Sequence, residues 1–271
     1  MKVNIEEEKR HYDKIAENLK IDEKYSEILF NYDTPASHWG DRLPRLKKKL
    51  LNELNDVKGK KILVYGCGND NAAIWFSKSG AIVDAIDISS KTVENQILMS
   101  KFLKLDINAM VMDAHELQMS SAKYDIVYGN AIIHHLDFSR AIPEVLRVLK
   151  SDGTAIFRDV MGENNLLKSY RFITSGFRTS DQHPLTKKDL SYLEKSFSTI
   201  TSDFYILLGL PVLFLVRLIN HTILPKLNVK FRFPELPNIV YKMFDKLDVY
   251  CYKYLPKTKR NSWLCLLILK K

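Results

Sequence analysis

The chain has 271 residues, of which 46% are hydrophobic and 27% charged; this composition excludes wholesale disorder and allows one substantial core or two small ones. The net charge of +9 is unevenly distributed: residues 1–160 carry 23 Lys and Arg against 24 Asp and Glu, whereas residues 161–271 carry 18 against 8. The positive surplus of the carboxyl-terminal part indicates either a solvated lysine-rich surface or an anionic partner.

The first 58 residues are predicted to form a helical lid. Charged segments with helical character cover Glu6–Leu19, Lys24–Phe30 and Arg42–Leu54, and the turn at Asp33–Pro35 interrupts them.

Residues 59–160 alternate short apolar runs with helical stretches. Strands are predicted at Lys60–Tyr65, Ala81–Asp87, Ile107–Met112, Tyr124–Tyr128 and Thr154–Val160, and helices at Asn71–Ser79, Ser90–Leu103 and Ser139–Lys150, with Gly80 and Gly153 as terminators. Because such alternation is typical of parallel βαβ units, it predicts an open, doubly wound α/β sheet.

Residues 161–261 are predicted to be an acceptor-side insertion, and residues 262–271 a last strand. Helices are expected at Leu166–Ile173, Lys187–Phe197, Pro211–Leu224 and Pro237–Tyr254, and strands at Asp203–Leu208 and Ser262–Leu269. The whole chain is thus predicted to be one domain with a mostly parallel seven-stranded sheet. The apolar stretch Phe204–Leu224 is interrupted by polar residues, which argues against a membrane span but leaves contact with a membrane surface open.

A glycine-rich turn, Val64–Asn71, stands directly between a strand and a helix. Glycines at 66 and 68 allow a tight turn and a close approach of the backbone to a ligand. Asp87 follows at the end of the next strand, where a carboxylate can accept hydrogen bonds from both ribose hydroxyls of an adenosine. This pair suits both NAD enzymes and methyltransferases.

The segment that follows distinguishes the two classes. Asp113 closes the third strand in the string MDAHEL, and residues 124–160 read YDIVYGNAIIHHLDFSRAIPEVLRVLKSDGTAIFRDV. This block resembles the fourth-to-fifth-strand region of class I S-adenosylmethionine-dependent methyltransferases, particularly enzymes of quinone biosynthesis and of bacterial natural-product pathways.

The resemblance implies S-adenosyl-L-methionine as the cofactor and assigns its binding residues. Along residues 60–160, the glycine-rich loop corresponds to Gly66, Cys67 and Gly68, and the ribose-binding acid and its neighbour correspond to Asp87 and Ile88. The adenine-contacting pair corresponds to Asp113 and Ala114, and the loop near the methionine moiety to Asn130 and His135. The string HYDKIAENL resembles a lid helix that covers the cofactor, with Tyr12 as the expected contact.

Two positions depart from the family pattern. Val64 stands where an acidic residue usually contacts the cofactor's amino group, and Asp70 replaces the third glycine of the loop. We expect Asp70, only two residues beyond Gly68, to hold the cofactor's ammonium group.

The string RTSDQHPLT is the predicted acceptor-side catalytic element, and it resembles an element of a bacterial methyltransferase subgroup. His183 is the candidate general base, Asp181 could orient it, and Arg178 could anchor a carboxylate. A capped structural loop explains the same residues equally well. The adjacent His134 and His135 point apart on an extended segment, so no metal site is predicted.

The resemblance implies methyl transfer to an oxygen, or less readily a nitrogen, of a small-molecule or peptide natural-product acceptor, which the basic surplus suggests is anionic. A quinone, lipid or nucleic acid acceptor and a catalytically silent cofactor-binding subunit remain alternatives, although no RNA-binding module or base-methylation motif accompanies the domain. Three cysteines at unrelated spacings and a charged first segment favour a cytoplasmic protein without a signal peptide.

Overall fold

The computed structural model describes residues 4–173, 182–220 and 237–271. Within them the chain forms a seven-stranded sheet in the order β3-β2-β1-β4-β5-β7-β6. Its strands are β1 Lys61–Tyr65, β2 Ile82–Asp87, β3 Ile107–Val111, β4 Tyr124–Asn130, β5 Leu149–Val160, β6 Thr199–Tyr205 and β7 Leu264–Lys270. Only the β5–β7 and β6–β7 pairs are antiparallel, so the predicted doubly wound, mostly parallel sheet is confirmed.

Helices cover both faces of this sheet, because the central strands are apolar on both sides and must be buried on both. They are α1 Ile5–Glu17, α2 Glu23–Phe30, α3 His38–Arg42, α4 Pro44–Glu53, α5 Ala72–Lys78, α6 Ser90–Leu103, α7 Phe138–Val148, α8 Asn165–Ile173, α9 Lys187–Ser196, α10 Leu210–Leu218 and α11 Asn238–Tyr254. The buried apolar residues form two clusters, one on each side of the sheet.

The structure differs from the predicted elements at three places. The helix predicted at Arg42–Leu54 is α4, which begins at Pro44, a residue without an amide hydrogen; Arg42 instead ends the separate helix α3. Gly153 lies inside β5, which begins at Leu149, and therefore does not terminate α7. The predicted strand at Asp203–Leu208 begins earlier, at Thr199, where its register with β7 starts.

The helical lid is fastened to the sheet side that carries α6. Ser89, the N-cap of α6, donates a hydrogen bond from Oγ to Asp13 of α1 at 2.6 Å. The Asn95 amide donates to the Ala16 carbonyl at 3.1 Å. These contacts hold α1 across the carboxyl ends of β1 and β2. In the described ranges, no helix combines the length and the apolar character needed to cross a bilayer.

Candidate functional site

A cavity of about 290 Å³ lies beneath α1 at the carboxyl ends of β1, β2 and β4. Ligands of open α/β sheets bind at this edge, where the strand order reverses. The residues that line it are Ile5, Glu8, Tyr12, Gly66, Gly68, Asp70, Ile86, Asp87, Ile88, Met112, Asp113, Ala114, His115, Asn130, Ala131, Ile132, His135 and Leu136.

The glycine loop after β1 forms the floor of this cavity. Gly66 has φ +69° and Gly68 has φ +55°, a left-handed conformation that glycine adopts without steric cost. A Cβ atom on Gly66 would also lie 2.6 Å from the Ile132 side chain. The loop therefore needs glycine at position 66 both for its backbone angle and for its packing.

Asp87 sits at the end of β2 with one partner on each oxygen. Oδ2 accepts from the Gly68 amide and Oδ1 from the Ser89 amide, both at 3.0 Å. Burial raises the pKa of Asp87 in spite of these two hydrogen bonds. Since each carboxylate oxygen can accept a second hydrogen bond, both remain able to receive a ribose hydroxyl.

Asp113 is held at the opposite wall by a short polar chain. His115 donates from Nδ1 to Asp113 at 2.7 Å, while its Nε2 accepts from the Asp137 amide at 3.0 Å. This pattern makes Nδ1 the protonated nitrogen. Burial raises the pKa of Asp113, but the hydrogen bonds from His115 outweigh it and leave the pKa below its ordinary value.

Asp70 and Asn130 are linked across the cavity. Asp70 accepts from the Ala72 amide at 3.0 Å and from the Asn130 side-chain amide at 2.7 Å. The Asn130 oxygen accepts in turn from the buried Arg158 guanidinium. Burial raises the pKa of Asp70. A cation placed beside this carboxylate would oppose that rise, because it would stabilise the charged form.

The lid closes the cavity through His135. Its Nδ1 donates to Glu8 at 2.5 Å, and its Nε2 accepts from the Tyr12 hydroxyl at 3.1 Å. Burial lowers the pKa of His135, which therefore stays neutral near pH 7. Tyr12 and Glu8 stand one helical turn apart on α1 and so reach the same imidazole.

The charge of the cavity selects among the candidate cofactors. Four carboxylates line it, those of Glu8, Asp70, Asp87 and Asp113, while no lysine or arginine does so among the described residues. S-Adenosylmethionine carries a sulfonium and an ammonium group that such a wall attracts, whereas the pyrophosphate of NAD would be repelled. The residues present fit S-adenosylmethionine.

A second cavity, of about 210 Å³, lies on the other side of the turn that follows β4. Its walls are mostly apolar and come from the end of β5, from α8 and α10, and from the segments between elements: His134, Val160, Met161, Leu167, Arg171, Gln182, Pro184, Leu210, Leu213, Phe214 and Trp263. Arg171 brings the single cation among these residues, and its guanidinium donates to the Gln182 carbonyl at 2.8 Å.

The short 3-10 turn Ile133–His135 separates the two cavities. His134 faces the apolar one and donates from Nδ1 to Asp159 at 2.6 Å. Asp159, the last residue but one of β5, is fully buried, and its other oxygen accepts from the Ile133 amide at 2.9 Å. Burial raises the pKa of Asp159, but the attraction and hydrogen bond of His134 outweigh it, so this pKa is lowered.

The structure brings most of the predicted site residues together. Ten of them line the cofactor cavity: Tyr12, Gly66, Gly68, Asp70, Asp87, Ile88, Asp113, Ala114, Asn130 and His135. The Cys67 side chain is instead buried in the core behind the loop. Their contacts with the cofactor stay predictions.

The predicted catalytic element is placed only in part. His183 donates its backbone amide to the His134 carbonyl at 3.0 Å but lines neither cavity, whereas Arg178 and Asp181 lie outside the described residues. Sequence reasoning missed Glu8, His115 and the His134–Asp159 pair. The string HHLD did contain His134, but its carboxylate partner was hidden 25 residues further along the chain.

Comparison with known proteins identifies the domain. Residues 63–157 match the family model described as a methyltransferase domain. The ubiquinone biosynthesis O-methyltransferase of Coxiella burnetii is 25% identical over 156 residues, which cover 56% of this chain and 65% of that protein. The sarcosine/dimethylglycine N-methyltransferase of Aphanothece halophytica is 29% identical over 139 residues, covering 49% and 50%. The chain thus spans between half and about two thirds of the length of these relatives.

Solved structures share the fold. Phosphoethanolamine N-methyltransferase 2 of Haemonchus contortus, in complex with phosphomonomethylethanolamine and S-adenosylhomocysteine, has a TM-score of 0.59 at 17% identity and covers 92% of this chain and 56% of its own. A putative sarcosine dimethylglycine methyltransferase of Galdieria sulphuraria has a TM-score of 0.56 at 17% identity, covering 84% and 86%.

Residues 63–157 therefore carry a methyltransferase domain, and the sheet has the class I S-adenosylmethionine-dependent methyltransferase fold that the sequence predicts. The predicted resemblance to these methyltransferases and the predicted cofactor agree with these findings.

Proposed function

We propose that this protein transfers a methyl group from S-adenosylmethionine to a hydroxyl oxygen of a small, largely apolar molecule. The observation that carries the proposal is the His134–Asp159 pair, set in the wall of an apolar cavity beside the cofactor cavity. A hydroxyl is a poor nucleophile until a base takes its proton. A histidine held by a buried carboxylate suits that role.

His134, Asp159 and the bound cofactor have separate roles in the proposed reaction. When bound, the cofactor supplies an electrophilic methyl group on its sulfonium sulfur. Asp159 fixes His134 with its proton on Nδ1, which leaves the lone pair of Nε2 to accept the proton of the acceptor hydroxyl. No hydrogen bond to this Nε2 comes from the described part of the chain. The ionised Asp159 then stabilises the imidazolium that forms.

The base is placed at His134 because this residue lines the apolar cavity and its Nδ1 donates to the buried Asp159, whereas His183 lines neither of the two cavities. His183 has a supporting part in this proposal, because its amide hydrogen bond holds the His134 carbonyl.

Arg171 gives the apolar cavity a cationic end. An acceptor with a carboxylate or another anionic group would find a partner there, which agrees with the anionic acceptor expected from the charge distribution.

The names of the relatives also support transfer to oxygen, because ubiquinone biosynthesis O-methyltransferases act on oxygen, as their name states. Among the acceptor classes left open by the sequence, the cavity favours a quinone-like or natural-product phenol over a peptide or nucleic acid.

The test is a screen for transfer of a deuterated methyl group to apolar hydroxyl compounds, read by mass spectrometry. His134→Gln and Asp159→Asn should each lower kcat by about a hundredfold or more, while affinity for S-adenosylhomocysteine stays unchanged. His183→Gln is the matched control and should retain most of the activity. Cofactor binding without transfer to any compound would favour a silent subunit, and activity that depends on His183 alone would move the base there.

A further inference from the structure

The helix α11 presents an apolar stripe to solvent. Five side chains at helical spacing are exposed along its whole length: Ile239, Met243, Leu247, Tyr250 and Tyr254. Ile239 is 74% exposed and Tyr254 69%. A contiguous apolar surface of this kind is uncommon on a monomeric protein and marks an interaction site.

Packing against the domain decides which face of α11 points outward. The opposite face is buried through Tyr241, Asp245, Asp248 and Tyr252. Asp245 pairs with Arg45 of α4 at 2.8 Å, and Asp248 accepts the amides of Leu207 and Leu208 at 2.9 Å. Because both acids of the helix are committed to the interior, its outer face carries no negative charge.

Lysines run beside the stripe. On a helical wheel, Lys242, Lys246 and Lys253 form a row next to Ile239 and Tyr250, at successive spacings of four and seven residues. All three are exposed. The 3-10 segment Pro256–Asn261, which follows the helix, adds exposed Lys257, Lys259 and Arg260.

We propose that α11 lies flat on an anionic lipid bilayer, with the apolar stripe inserted between headgroups and the basic row on lipid phosphates. An apolar face bordered by lysines is the pattern of helices that bind in the membrane interface. Charge complementarity decides against a second copy of the chain. In a two-fold dimer the lysine rows would flank the contact without an exposed acid on α11 to compensate them.

The position of α11 connects this surface with the apolar cavity. Leu210, Leu213 and Phe214 of α10 line that cavity, and a Cβ atom on Gly209, just before α10, would lie 3.2 Å from the Phe244 ring of α11. A membrane-bound α11 would therefore bring the cavity wall close to the lipid phase. This position suits an acceptor dissolved in the bilayer, a link that rests on the proposed function.

The experiment is co-sedimentation of the full chain with vesicles of phosphatidylcholine alone and of phosphatidylcholine with about one third phosphatidylglycerol. We expect binding to the anionic vesicles, weakened by salt. Replacement of Lys242, Lys246 and Lys253 by Gln should weaken it by about fivefold per lysine, and thus by about a hundredfold in total. Met243→Gln with Tyr250→Gln should also abolish most of the binding; all five side chains are exposed, so the fold should tolerate the changes.

Matched control variants remove equal numbers of lysines and apolar side chains from other helices of the protein. Lys24, Lys48 and Lys101, exposed on other helices, are replaced together by Gln, and Ile28 of α2 and Phe102 of α6, which are 51% and 40% exposed, are likewise replaced together by Gln. Equal losses in control and stripe variants, equal binding to neutral vesicles, or no sedimentation would overturn the proposal. So would a dimer in sedimentation velocity that the stripe variant dissolves. Vesicle binding needs neither cofactor nor acceptor, so failure of methyl transfer leaves its outcome unaffected.

Discussion

Replacing Asp87 by alanine tests the core of the cofactor site. The carboxylate receives one backbone amide on each oxygen at 3.0 Å and keeps one accepting position on each for the two ribose hydroxyls of an adenosine. Asp87→Ala therefore removes two charge-assisted hydrogen bonds to the ligand. Allowing for competition by water, the loss is about 2–4 kcal/mol, which corresponds to about a 30- to 1000-fold rise in Kd.

The assay is isothermal titration of S-adenosylhomocysteine, with thermal unfolding measured on the same samples. The variant also leaves the Gly68 and Ser89 amides without their partner, so some stability is lost as well. Asp84→Ala is the matched control: Asp84 lies on the same strand and accepts hydrogen bonds from Asn108, Lys123 and Tyr124 but lines neither cavity. It should cost stability and leave affinity unchanged. A folded Asp87→Ala protein with a Kd within about threefold of the parent, 0.6 kcal/mol, would refute the ribose role.

Three further predictions concern pH, backbone and salt. Burial lowers the pKa of His135 from 6.5 in the folded chain, so the unfolded chain takes up this proton at a higher pH than the folded chain does. The free energy of unfolding should therefore fall as pH drops below about 6.5, and denaturation titrations of His135→Gln should show a shallower fall. Gly66→Ala should destabilise the fold and weaken cofactor binding, whereas Gly59→Ala, with a similar φ of +71° and no atom within 4 Å of its Cβ, should cost only the backbone strain, about 1–2 kcal/mol by denaturant unfolding. The acceptor's KM should rise with salt more steeply than the cofactor's Kd, because the positive surplus lies in residues 161–271; parallel salt dependences would return those lysines to a solvated surface.

Local patterns in the sequence were sufficient for the sheet and for the floor of the cofactor site. Alternating apolar runs and helices predict parallel crossovers, and parallel strands carry their carboxyl ends to one edge. Residues that follow successive strands, such as Gly66, Asp87 and Asp113, must then meet at that edge whatever the details of packing. Their convergence on one cavity could therefore be expected from their positions in the chain.

Contacts between distant segments were beyond such patterns. Glu8 and His135 are 127 residues apart, and no periodicity indicates that α1 crosses the sheet edge at the height where they meet. The same holds for His134 and Asp159: two adjacent histidines offer no sign of which one faces the acceptor side until the turn after β4 and the end of β5 are placed together. The base was consequently expected at His183, in a loop rich in polar side chains.

The outward stripe of α11 depended on tertiary packing for a different reason. A helix over Pro237–Tyr254 could be predicted, but apolar and charged residues occur on both of its sides, so hydrophobic periodicity does not choose the buried one. Arg45 and the amides after β6 make that choice by binding Asp245 and Asp248, because a buried carboxylate needs a partner. With the acids turned inward, Met243, Tyr250 and the lysines are left on the surface.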